Sequence, residues 1–374
     1  MKKILAILIA ALFVLPMAFA TSTGTGIGVE IDTEDFEPRV WLCDHRLVTD
    51  DNVQWGRNTA GGAEMLERNN NYAFEGEAIH WLVLVMDKNG VPEKLEDVFA
   101  TIGDVQGAGN DIEVNCEYVG GLNTTFEGED DIFDSCNARI DEEDVVWNGE
   151  LMGYYDCTLT VETSDSMYGE YWVTVEAVDL DGLSGVMDEN EYWFFNPIID
   201  LAIQGDLVFS NVRPGTDSYS ETLLVGNDAD DGSGVILDMF ISGTDFYDSA
   251  SSGAMCPTTN ELALSSFRYF ATNGAYSTQF DSMVDNTFYD TWTQRDVDAE
   301  GYVNIQYGDH WDRTVYDEAE IIQSFEKTGP TDLYYAGNML TPGSEMAVTF
   351  KLSLPEPCNG DFDTGSIYFW GEAV

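Results

Sequence analysis

Basic residues are what this chain most lacks. Fifteen lysines and arginines stand against 69 acidic residues in 374, a formal net charge of −54. A surface of that sign repels the phosphate backbone of nucleic acids and the headgroups of anionic lipids, and argues against a nucleic-acid partner. Self-repulsion on this scale is tolerated where salt screens it or divalent cations neutralise it, which points to a saline habitat, bound calcium, or both. Histidine is equally sparse: His45, His80 and His310 have no mutual spacing that suggests a metal site. There is no Gly-x-Ser-x-Gly elbow, no phosphate-binding glycine loop and no Cys-x-x-Cys pair, so the common signatures of hydrolases, P-loop enzymes and zinc modules are missing. Carboxylate pairs of the glycosidase kind occur in nearly every loop of so acidic a chain and single out none. His310, among Tyr307, Asp309, Trp311 and Arg313, is the one grouping of catalytic residue types, and the chain is expected to be no enzyme.

Long apolar runs are also missing after the first few residues. Lys2 and Lys3 precede an unbroken apolar stretch from Ile4 to Leu15, which is too short to span a bilayer comfortably. Pro16 interrupts it, and Ala18-Phe19-Ala20 supplies the small-x-small pattern of signal peptidase. Residues 1–20 therefore read as a secretory signal peptide cut after Ala20. Thr21 follows the cut instead of a lipid-modified cysteine, and Ser366 to Trp370 is strand-like and no membrane tail. The expectation is a secreted protein with no transmembrane segment after cleavage.

Six cysteines are divided four and two between the halves of the chain: Cys43, Cys116, Cys136 and Cys157, then Cys256 and Cys358. In an exported chain an even count implies disulfides. Pairing within halves leaves Cys256 with Cys358 alone and leaves three connectivities open for the first four.

With 44% hydrophobic and 13% aromatic residues the chain can bury real cores despite its charge. Its length suggests two domains after the signal, or three small ones. Residues 21–36 are rich in glycine and threonine, and Ile27, Val29 and Ile31 alternate with Gly28 and Glu30. That is either a lone strand able to assemble with another subunit or a loose leader. Residues 37–197 show short alternating strands. Tyr155, Cys157, Leu159 and Val161 form one apolar face, and Tyr171, Val173, Val175 and Ala177 another. Ile112, Val114, Cys116 and Tyr118 share a face, as do Asp134, Cys136, Ala138 and Ile140. One buried and one wet face per strand is the pattern of an antiparallel sandwich. Asn196-Pro197 marks a boundary, and residues 198–374 repeat the pattern, closing on Met346, Val348, Phe350, Leu352 and Leu354. About 95 residues from 248 to 342 interrupt it, with a helix expected over Asp312 to Lys327. The fold class is thus all-β: two Ig-like or jelly-roll-type antiparallel sandwiches, the second with a long insertion holding a short helix.

The run GEYWVTVEAVDLDGLSG (169–185) resembles the penultimate strand and turn of PKD and cadherin-like Ig modules. The stretch DLAIQGDLVFSNVRPGTDSYSETLLVGNDADDGSGVILDMFISGTDF (200–246) is similar to the Hydin-like surface modules and to the TasA and camelysin sandwiches, whose subunits form extracellular fibres. NNNYAFEGE, VRPGT, VGNDADDGSG, CPTTN, RYFATNGAYST and LSLPEPCNGDFDTGSIYFWGEAV also resemble stretches of acidic secreted proteins of small-genome (DPANN) archaea. These resemblances imply export and a surface location, and they bring no activity.

Calcium is the expected ligand. Asp228, Asp230 and Asp231 lie with Gly232 and Gly234 in one loop between strands, where hard oxygen ligands converge on an ion or simply face water. Asp179 and Asp181 form a second such loop, and neither follows the EF-hand spacing. Trp292, Trp311, Tyr276 and Tyr289 in the insertion are candidates for stacking on sugar rings. Asn123-Thr124-Thr125 is a glycosylation sequon. The leading expectation is a self-assembling structural protein of the cell surface, a subunit of an S-layer-like coat or an extracellular filament. The alternative is an adhesin binding a cell-surface glycan through the insertion.

Overall fold

Ten strands of the first half are joined in one hydrogen-bonded path. They are β1 (Arg39–Asp50), β2 (Met65–Arg68), β3 (Tyr72–Ala73), β4 (Ala78–Met86), β5 (Leu95–Gly103), β6 (Ile112–Gly120), β7 (Met152–Thr160), β8 (Gly169–Asp179), β9 (Ser184–Val186) and β10 (Glu191–Phe195). The path runs β2-β1-β4-β7-β6-β5-β8-β10-β3, with β9 on β8. This computed structural model describes residues 30–50, 65–68, 70–107, 109–120, 132–137, 139–140, 145–250, 255–283, 296–308, 319–323, 327–328 and 334–374. Met1–Asp35 and Phe36–Val374 are separate units, and the second carries all the described strands.

β6 turns the path into a sandwich. Its first half pairs with β5 (Ile102↔Ile112 to Phe99↔Asn115) and its second half with β7, beginning at Cys116↔Cys157. The alternating side chains of the two layers then meet in one core. Ile79, Trp81, Val83 and Val85 of β4 face Val98, Ala100, Val173, Val175 and Trp193. β1 and β10, each one strand in from an end of the path, are tied by the buried Glu191 of β10, whose Oε1 lies 3.1 Å from Arg46 of β1. Gly185 of β9 lies against the Pro38 carbonyl, where a Cβ has no room.

Two expectations for this half are corrected. β4 is not wet on its second face: Leu82, Leu84 and Met86 join Cys43, Ile132, Cys136, Met152 and Tyr154 in a separate buried cluster. Ile132, Cys136, Trp147 and Leu151, from the chain between β6 and β7, cover that face from Leu82 to Met86, so this part of β4 is apolar on both sides while His80 stays half-buried. Asp134, Cys136 and Ile140 do not share a strand either. Asp134–Asn137 is a helical turn, with the Cys136 and Asn137 amides both donating to the Phe133 carbonyl at 2.9 and 2.8 Å. The turn carries Cys136 to Cys43 of β1, and the disulfide between them holds the cover in place.

The second half begins with β11 (Leu201–Gln204), β12 (Asp217–Tyr219), β13 (Leu223–Asn227) and β14 (Leu237–Gly243). One sheet runs β11, β13, Glu345–Ser353, Phe267–Asn273, Tyr276–Ser277, and β12 also pairs with Glu345–Ser353. The other is built on β14, which pairs along its whole length with Ile367–Ala373. Leu237, Met239 and Ile241 of β14 face Val225, Tyr269, Val348 and Phe350 in the core. Phe267–Asn273 comes from the 248–342 segment, yet it pairs with Glu345–Ser353 over six residues, Phe267↔Leu352 to Thr272↔Ala347. The segment therefore supplies a central strand.

The helix expected from Asp312 to Lys327 is corrected from Glu320 onward; Ala319 is helical, and residues 312–318 and 324–326 lie outside the described residues. Glu320 forms an antiparallel bridge with Phe240, the Ile321 amide donates to the Met239 carbonyl at 3.0 Å, and Lys327–Thr328 pairs with Tyr334–Tyr335. Ile321 and Ile322 are fully buried, so tertiary contact with β14 overrides the helical spacing.

Among the described residues no strand pair crosses Asn196-Pro197. The packing does cross it. Tyr72 of β3 and Phe194 of β10 belong to the core of the second half. The Tyr72 hydroxyl donates to the Val374 carbonyl at 2.6 Å, and Asn70 Nδ2 donates to the same oxygen at 3.3 Å. Asn196 turns the chain at φ +50°, a left-handed conformation asparagine tolerates. Its Nδ2 donates to the Glu162 and Met167 carbonyls at 2.8 and 2.6 Å, and its Oδ1 accepts from the Glu75 amide at 2.7 Å.

Candidate functional site

The Asp228 loop is positioned by Asn227, a buried residue at the end of β13. Asn227 Nδ2 donates to the Val235 and Leu340 carbonyls at 2.9 and 2.8 Å, and its Oδ1 accepts from the Ala229 amide at 3.0 Å. Asp228 and Asp231 point to solvent. Asp230 turns to the junction, where its Oδ2 accepts from the Ile198 amide at 2.9 Å and from the Tyr168 hydroxyl at 3.0 Å. That bond to a carboxylate raises the Tyr168 phenol above its ordinary range. Among the described residues no three acidic, histidine or cysteine side chains are gathered as a metal-holding group.

The loop of Asp179 and Asp181 lies at one end of the first sandwich, beside a residue whose role the sequence did not reveal. Asp179 ends β8 and is 2% exposed, and its Oδ1 accepts from the Asp181 and Leu183 amides at 3.0 and 2.7 Å. Asp181 Oδ2 pairs with Lys94 Nζ at 2.5 Å. Asp87 follows β4 and is wholly buried, and its Oδ1 accepts from the Asn89 amide at 2.7 Å. Its Oδ2 is buried with no hydrogen-bond partner. Burial raises the Asp87 carboxyl above the usual range; nearby Asp179 and Asp181 push the same way, while the Asn89 amide and Lys94 act against it.

A lysine cage in the second sandwich also escaped sequence reading. Lys351 Nζ lies 2.9 Å from Asp298 Oδ2, 3.0 Å from Glu300 Oε2 and 3.5 Å from Asp217 Oδ2. The rings of Tyr219 and Tyr302 flank it at 5.9 and 5.7 Å. Burial opposes the charge on Lys351, but the bonds from Asp298 and Glu300 outweigh it and hold the ammonium well above the ordinary lysine range. Asp298 and Glu300 come from the 248–342 segment, so the cage binds that segment to the Glu345–Ser353 strand.

His80 stands on β4, where its Nδ1 lies 3.2 Å from both Asp156 Oδ2 and Thr158 Oγ1. A proton relay needs the carboxylate and the hydroxyl on opposite ring nitrogens, so these contacts do not form one. Tyr276 is half-buried, and a Cβ on Gly337 would meet its own Cβ at 2.7 Å, so it packs under the loop. Trp292, Trp311, Tyr289, His310 and Asn123 lie outside the described residues, as do the signal peptide, Ile27 and Val29. Ile31 is 77% exposed and lies in no strand. All six cysteines are paired: Cys43–Cys136, Cys116–Cys157 and Cys256–Cys358. No described helix is long and apolar enough to cross a membrane.

No protein-family model and no curated protein matches the chain. Solved structures overlap it loosely. One is the C-terminal domain of the Streptococcus agalactiae AgI/II polypeptide BspA, 9% identical over 90% of this chain and 97% of that one, TM-score 0.27. A structure named BspA_C_WT gives 9% identity over 88% and 96%, TM-score 0.30. The secreted serine protease VesC from Vibrio cholerae gives 9% over 81% and 48%, TM-score 0.16. At these scores the overlaps carry no argument about fold or activity.

The buried acid and the cage share one reason for being missed. Asp87 stands in an Asp-Lys-Asn-Gly turn, which reads from sequence as a solvated loop. Lys351 stands at an alternate position of a strand, which reads as the wet face. Only the chain folded over each of them removes the water.

Proposed function

We propose that this chain is an exported structural protein of the cell surface, a subunit of a coat or filament, without a catalytic role. The observation that carries the reading is the junction of the two sandwiches. Tyr72 and Phe194 of the first half are packed into the core of the second, and Asn196 anchors the chain to the first half where it leaves for the second, through Glu75, Glu162 and Met167. A head-to-tail assembly keeps one regular geometry when the angle between the two ends of its subunit is fixed, and a shared core fixes it. The disulfides support an oxidising compartment, and the acidic surface fits a salt-screened exterior.

The donor in such an assembly is the 21–36 leader, and the acceptor is an open sheet edge. β11 is such an edge, with Ile203 49% exposed. Negative-stain microscopy of the protein beginning at Thr21, with and without calcium, and of a form lacking residues 21–36, tests the reading. Filaments or sheets from the longer form alone are expected. A monodisperse monomer under every condition, together with tight binding on a glycan array, would establish an adhesin instead.

A further inference from the structure

We propose that Asp87 and Asp179 hold a hard divalent cation, calcium by its ligand chemistry, at the end of the first sandwich. The site is distinct from the Asp228 loop and does not depend on the assembly reading. Asp87 follows β4 and Asp179 ends β8, strands of opposite layers, and the two are 0% and 2% exposed. Their turns meet through the 90–95 segment, where the Gly90 amide donates to the Asp87 carbonyl at 3.0 Å, the Leu180 amide to the Lys94 carbonyl at 2.8 Å, and Leu95 pairs with Asp179. Each uses Oδ1 to organise its own turn, Asp87 toward Asn89 and Asp179 toward Asp181 and Leu183. Asp87 Oδ2 is left buried without a donor. Among the described residues neither carboxylate has an ion-pair partner, since the nearby Lys94 ammonium is committed to Asp181.

A buried carboxylate persists when a cation or hydrogen-bond donor compensates it. Asp87 has one amide for two oxygens, beside a second buried carboxylate. Calcium accepts six to eight oxygen ligands in flexible geometry, so two carboxylates suffice when backbone carbonyls and water complete the shell. A single shared proton is the competing explanation, and it predicts no response to calcium.

The test uses the full mature protein after chelation, in ~1 M NaCl, where a Debye length of about 3 Å suppresses diffuse binding to the acidic surface. Calcium is titrated calorimetrically and by thermal melting into the wild type, Asp87→Asn and Asp228→Asn. Asparagine keeps the acceptor for the Asn89 amide and removes the charge. In chelator, Asp87→Asn is expected to melt at or above the wild type, because it loses an uncompensated buried charge. In calcium the order reverses, with affinity down at least about tenfold, while Asp228→Asn follows the wild type. Hydrogen exchange on the wild type covers the case in which Asp87→Asn does not fold: calcium should slow exchange in both 87–91 and 179–183. Wild-type affinity in Asp87→Asn, no binding by the wild type, or protection confined to 228–234 would each overturn the proposal.

Discussion

Replacing Tyr72 tests whether the two sandwiches unfold as one body. Tyr72 is 0% exposed, its ring lies edge-to-face with Phe74 at 5.8 Å, and its hydroxyl reaches the Val374 carbonyl at 2.6 Å. Tyr72→Phe keeps the ring and leaves that main-chain oxygen to Asn70 at 3.3 Å, so the loss should be near one hydrogen bond, about 1–3 kcal/mol. Tyr72→Ala removes a fully buried aromatic ring from the second core as well, and its cost is about 4–5 kcal/mol. The loss falls at the junction, so it also weakens the coupling between halves. Differential scanning calorimetry is expected to show one transition for the wild type and for Tyr72→Phe, and two for Tyr72→Ala as the halves melt separately. Equal costs for the two variants, or one unshifted transition for Tyr72→Ala, would refute a shared core.

The disulfides should differ in weight according to the loops they close. Cys256–Cys358 spans 102 residues and Cys116–Cys157 spans 41, so paired alanine variants should lose about 5 and about 4 kcal/mol respectively in urea unfolding. The reverse order would show that packing around the sulfurs outweighs chain entropy. Lys351→Met leaves Asp298 and its neighbours uncompensated. With Lys351 9% exposed, the cost at neutral pH is about 2 kcal/mol, less than for a fully buried pair. Burial works to raise the Asp298 carboxyl, but the Lys351 bond and the Tyr302 and Glu300 amides hold it below the usual range. Its stabilisation is therefore present above the unfolded aspartate pKa and lost as pH falls through the lowered folded value. Lys351→Met should flatten that acid limb of a stability–pH profile; an unchanged limb would count against the cage.

Much of the sheet structure was legible residue by residue. The alternation around Cys157 and Val175 marked β7 and β8, and that from Met346 to Leu352 marked a central strand of the second half. The pairing of Cys256 with Cys358 followed from the division of the cysteines. The reading failed where a strand or loop is covered by distant chain. β4 is buried on both faces from Leu82 to Met86 because the chain between β6 and β7 covers it. The segment around Ile321 has helical spacing, and β14 holds it extended.

The candidate sites divide along the same line. Acidic turns at Asp87, Asp179 and Asp228 look alike in sequence, because a local run of Asp and Gly specifies a turn and says nothing of its solvent. Period-two alternation is a local property, so the strands and the all-β class were determined by the sequence alone. Burial is a property of whatever packs on top. The tertiary structure placed Tyr72 against a carbonyl 302 positions away, closed the end of the first sandwich over Asp87, and left Asp228 in water.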